Sequence, residues 1–161
     1  MPTRGIVMTT LEIISLVALG AVVVLLILSA LSKLVLHVMK GPLEARIAAH
    51  YSQDEILLKD LKANSFGVES AGVRQLRGNG GLVLTGKNLH FFMFVPKSDI
   101  CVLLDTITEL TITKSHLGKT TPYDLLKVHY CAEGTMDSIA WYLTDPRAWK
   151  LRIEGLKAGT S

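Results

Sequence analysis

The sequence predicts an α+β chain that is mostly β: an N-terminal transmembrane helix, a bent antiparallel sheet of about seven strands, and a C-terminal helix. Three observations predict it. Residues 13–32, IISLVALGAVVVLLILSALS, carry no charge. From Phe66 onward the apolar period changes to two. After Asp145-Pro146 the spacing becomes helical again.

The uncharged run is long enough to span a bilayer. At ~1.5 Å per residue its helix reaches roughly 30 Å, the thickness of a hydrocarbon core. Apolar character continues to Met39, interrupted by Lys33 and His37. This predicts a transmembrane helix over 10–39, with Lys33 reaching toward the headgroups. The run exceeds the apolar core of a signal peptide, and no A-x-A site directly follows it. Lys33, Lys40 and Arg46 outnumber Arg4 across the span. The positive-inside rule then places residues 1–9 outside the cell membrane and the C-terminal domain in the cytoplasm. Cys101 and Cys131 fit a reducing compartment, since two cysteines make no disulfide framework.

Lys40-Gly41-Pro42 predicts the end of the membrane helix, because Gly suits a cap and Pro cannot continue a helix. Residues 40–63 read as a juxtamembrane helical connector. It holds one helix at 43–50 and another at 53–62, the second opened by the capping box Ser52–Glu55. The domain proper then covers 64–157, and 158–161 form a tail.

Within that domain the strands read as 82–85, 88–95, 99–104, 107–114, 125–131 and 136–143. Leu82, Leu84, Leu89, Phe91 and Met93 share one face. So do Leu126, Val128 and Tyr130, and likewise Ile139, Trp141 and Leu143. Residues 115–122, SHLGKTTP, read as a loop and Glu133-Gly134 as a turn. Strands that follow one another without crossover helices pair antiparallel. Asp145 caps the last helix, Pro146 opens it, and Trp149, Ile153 and Leu156 form its apolar stripe.

Gly78-Asn79-Gly80-Gly81 raises the question of a phosphate cradle. Such a loop must open a helix, so that amide donors converge on the anion. Here the glycines open a strand, with no following Lys-Ser/Thr pair. They are expected to permit positive φ in a turn or bulge.

Gly81-Leu82-x-Leu84-Thr85 followed by Leu89-x-Phe91, Ile107 after a short strand, Leu126-x-Val128 and Trp149 in a final helix resemble pleckstrin-homology-like (PH-like) domains of the GRAM type. The resemblance covers about residues 54–157. The stretch ANSFGVES…RGNGGLVLT (63–85) resembles small bacterial membrane proteins with one span before such a domain. The resemblance implies a seven-stranded, strongly bent antiparallel sheet closed by a C-terminal helix. It implies no enzymatic activity and no cofactor, but a platform for lipid headgroups or protein segments.

Composition and spacing narrow the function classes. Of 17 Lys and Arg and 14 Asp and Glu, only Arg4, Lys33 and Glu12 precede Lys40, so the remainder is nearly neutral. A nucleic-acid binder needs a basic face, so nucleic acid is not an expected partner. His129 and Cys131 are half a zinc site, and Asp137-Ser138 has no histidine at a recognisable spacing, so no catalytic or metal residue is assigned. Arg74, Arg77, Lys87, Lys114 and Lys119 are the candidate residues for an anionic lipid headgroup. Phe92, Phe94 and Leu103 lie opposite the core-facing positions. If the sheet buries one face they are the candidate partner-binding residues, since a large exposed apolar patch marks a partner site; otherwise the 53–62 helix or the other half of the bent sheet covers them. The expected function is a membrane-anchored, non-enzymatic module that recruits a protein at the membrane. The alternatives are a lipid-sensing or lipid-handling module and an accessory subunit of a membrane complex.

Overall fold

The computed structural model describes residues 9–72 and 77–159. The chain divides at Lys40 into two compact units. Helix α1 runs Thr10–His50. Thr9 opens it with a T-x-x-E box, in which its N–H donates to Glu12 Oε2 at 2.7 Å. Residues Thr10–Leu34 are apolar and long enough to cross a membrane.

The helix does not end at Gly41-Pro42 as the sequence predicts. Pro42 sits inside α1. It removes one backbone donor, but the turns beyond it bury Leu43 and Ile47 against the sheet, and that burial holds the helical path.

The second unit contains β1 (Leu58–Val68), β2 (Gly78–Leu84), β3 (Asn88–Met93), β4 (Asp99–Leu103), a short 3-10 turn (Leu104–Thr106), β5 (Ile107–His116), β6 (Lys119–Ala132), β7 (Thr135–Tyr142) and α2 (Pro146–Ala158). The strands form one sheet in the order β4-β3-β2-β1-β7-β6-β5, antiparallel throughout. The expected α+β architecture of an apolar helix, seven antiparallel strands and a closing helix is therefore present.

The helix expected at 53–62 is absent. Ser52 and Glu55 do pair, with Ser52 N–H donating to Glu55 Oε2 at 2.8 Å, but they close a single turn. β1 begins at Leu58, directly opposite Leu84. A register shift between Asp60 and Ala63 lets Leu58 and Ala63 face the main core while Leu61 faces the other side. Buried Asp60 fixes the shift: its carboxylate accepts from Lys62 N at 2.8 Å and Thr144 N at 2.7 Å, tying β1 to the lead-in of α2.

The segment expected to be a loop at 115–122 is instead a hairpin. Leu117 and Gly118 both have positive φ, and His116 pairs with Lys119 across them. A two-residue turn of this hand matches strand twist. The same chemistry recurs at Glu133-Gly134, the turn that the sequence does predict.

The main core joins Leu82, Leu84, Leu89 and Phe91 to Leu126, Val128, Ile139 and Trp141, and α2 closes it with Trp149 and Ile153. Asp145 caps α2 by accepting from Ala148 N at 3.0 Å. The smaller second core lies on the opposite face of β2 and β3, where Leu43 and Ile47 cover Val83 and Phe92.

The glycine cluster opens β2, as expected, but positive φ is not its role. Gly78, Gly80 and Gly81 are absent from the positive-φ positions. Their role is close approach. A Cβ at Gly80 would collide with the Phe92 backbone carbonyl and the Phe91 ring. One at Gly81 would meet Leu43 Cδ2 at 2.9 Å. Gly80→Ala is expected to lower stability by about 1–3 kcal/mol. Denaturation of the full chain in detergent, followed by fluorescence of buried Trp141 and Trp149, checks this; an unchanged midpoint refutes it.

Candidate functional site

The structure sorts the partner-binding candidates by burial. Phe92 is fully buried, so it is a core residue rather than an interface. Its cover comes from the 43–50 part of α1. Phe94 is half-buried against the same small core. Leu103 alone of the three is exposed, at 49%, at the end of the edge strand β4.

The lipid candidates separate along β2. Arg74 lies outside the described residues. Arg77 precedes β2 and lays its guanidinium over Phe66, 4.2 Å from the ring centroid. Lys87 sits in the turn at the other end of β2, roughly 20 Å away at strand rise. Lys114 and Lys119 flank the β5–β6 turn. That hairpin is pinned near the Arg77 end, since His116 Nε2 donates to Gly67 O at 2.9 Å beside Phe66. The same end carries carboxylates. Glu69 accepts from Ser138 Oγ, and Asp137 accepts from Ser70 Oγ at 2.6 Å. The Ser138 hydroxyl beside Glu69 holds that carboxyl below its ordinary range.

Lys87 and Leu103 meet in a groove of about 540 Å³ at the end of the sheet that α2 closes. The β2–β3 turn supplies Gly86 and Lys87, the end of β4 and the 3-10 turn supply Leu103, Leu104 and Asp105, and α2 supplies Leu156 and Lys157. Local hydrogen bonds fix the walls. Thr85 Oγ1 accepts from Lys87 N at 3.1 Å, Lys87 O accepts from Leu104 N at 2.9 Å, and Lys157 Nζ donates to Ile107 O. The groove thus has leucine walls, two ammonium groups and one carboxylate, a lining that suits an extended segment bearing an apolar side chain and an acid. Asp105 and Lys157 come from segments far apart in sequence and no local pattern marks them, while Leu156 is marked only as part of the apolar stripe of the last helix.

His129 faces Ser138 across the β6–β7 ladder, but Ser138 Oγ is committed to Glu69. Among the described residues, no group of three or more His, Cys, Asp or Glu is placed to hold a metal ion.

Burial separates the two apolar candidates in a measurable way. Phe92→Asp is expected to abolish cooperative unfolding, because it buries an unpaired charge beneath Leu43 and Ile47. Leu103→Asp is expected to leave stability within about 0.5 kcal/mol of the wild type. Urea denaturation of the two full-length variants in detergent compares them; equal losses would place Leu103 in the core.

The chain matches no protein-family model and no curated protein. It is similar to a chain of the solved structure "The 8S snRNP Assembly Intermediate", with 9% identity, a TM-score of 0.49, and coverage of 66% of this chain and 83% of that one. A likeness at that level carries no argument about what this chain does.

Proposed function

We propose that this protein is a membrane-anchored, non-enzymatic binding module of the PH/GRAM type that recruits a protein segment at the cytoplasmic face of the cell membrane. One observation carries the reading: the exposed Leu103 and the turn bearing Lys87 wall a single groove with Leu104 and Leu156. The long apolar helical segment Thr10–Leu34 supports membrane anchorage. Basic residues concentrate on its C-terminal side, which supports an outside N-terminus. Confinement to two dimensions raises the effective concentration of the domain near membrane-bound partners, so a modest groove is sufficient.

The bound segment inserts an apolar side chain between Leu103 and Leu156 and directs a carboxylate to Lys87. The headgroup reading has less support, because Lys87 lies at the far end of β2 from Arg77.

A photo-crosslinking side chain placed at position 103 of the full chain in membranes is expected to give a discrete protein adduct. Lys87→Glu is expected to reduce that adduct several-fold. Adducts with lipid alone favour the headgroup reading, and the absence of any adduct removes the groove as the site.

A further inference from the structure

We propose that the last turns of α1, with Tyr51, form a proton-sensitive cover over the outer face of β2 and β3, and that His90 is the group through which pH opens it. The cover is held by two kinds of contact. Leu43 and Ile47 pack on Gly81, Val83 and Phe92. Polar bonds then pin it at both ends. Arg46 donates to Met93 O at 2.8 Å and pairs with Asp99, while the Tyr51 hydroxyl meets Asn88 Oδ1 at 3.1 Å and His90 Nδ1 at 2.8 Å.

His90 lies beneath this cover, stacked on Phe92 at 4.0 Å between ring centroids. The groups facing it come from every neighbouring element. α1 presents Arg46, and His50 with its ring centroid 5.7 Å away. The turn after α1 presents Tyr51. β4 presents Cys101, directly opposite in register, and Asp99, whose Oδ2 lies 3.9 Å from His90 Nε2. β2 places apolar Val83 opposite.

The single Tyr51 hydroxyl proton goes to Asn88 Oδ1, so the neutral His90 ring carries its proton on Nδ1 and donates it to the Tyr51 oxygen, leaving the lone pair on Nε2 toward Asp99. Protonation at Nε2 therefore leaves the Tyr51 contact in place and puts a cation beneath the cover, facing Arg46 and His50. The new cation also shares Asp99 with Arg46, the residue that anchors the helix. Burial, with Arg46 and His50 adding to it against Asp99, pushes the His90 pKa below the ordinary histidine value. The sign follows from linkage. The open form binds the proton more readily, so the closed form loses stability as pH falls from the ordinary histidine pKa toward the depressed one. Each unit of depression is worth up to about tenfold in the closing equilibrium. Opening uncovers Val83 and Phe92, an apolar face distinct from the groove at Lys87 and Leu103, so this inference does not depend on that groove.

The test uses the full chain in lipid nanodiscs, with Cys101 and Cys131 replaced by serine and spin labels at Ala48 and Lys87, both exposed. A longer-distance population is expected to grow several-fold between pH 7.5 and 5.5, and His90→Gln is expected to flatten that response. No growth in the parent chain, or equal growth in His90→Gln, overturns the proposal. If His90→Gln fails to fold, the His90 ring is titrated by NMR in the unaltered chain. A pKa below the ordinary value supports the cover, and one at or above it overturns it.

Discussion

Phe91 and Trp141 touch, with ring centroids 6.2 Å apart, although their strands lie three places apart in the sheet. In a flat sheet that spacing would be about 14 Å. The rings meet because the sheet folds over and brings both halves of one face into a single core. Burial of both rings, with Leu82, Leu126 and Ile139 around them, drives the closure. The rest of the domain follows from it. A folded sheet has open ends, and α2 seals one with Trp149 and Ile153. It also has an outer face, and part of that face is covered by α1. The bend is permitted by β1, whose register shifts twice, and by Gly67, whose φ of +102° fits only glycine well.

Much of this was legible in residue order. The alternation in Leu82–Met93 and in Leu126–Tyr130 follows directly from the strand period, and Asp145-Pro146 marks the start of α2 through cap chemistry. Residues 56–63, ILLKDLKA, show the limit. Their leucines fit a helical stripe as well as a strand, and pairing with β2 decides the matter. Ser52 and Glu55 make the hydrogen bonds their spacing predicts, yet those bonds close a turn as readily as they open a helix. Pro42 is a local helix breaker that long-range burial of Leu43 and Ile47 overrides. The Leu117-Gly118 turn was hidden because leucine rarely takes positive φ.

The groove was less legible than the fold. Leu103 is visible as an outward position on a strand, and Lys87 as a turn residue, but their proximity depends on the path of the 3-10 turn and on where α2 ends. Phe92 shows the converse. Its alternation marks it as facing away from the main core, and only the position of α1 reveals that a second core waits there. Arg77 and Lys87 are close in sequence, whereas β2 carries them to its two opposite ends.

The sheet does not close on itself, and β4 and β5 are left as its borders. Unsatisfied backbone along a border recruits strands from neighbouring molecules. β4 is only five residues long and begins at Asp99, which is held by Arg46. β5 carries exposed Glu109 and Lys114. A brief border and a charged one give passing copies little to template on, so many such domains can crowd one surface without knitting into fibrils.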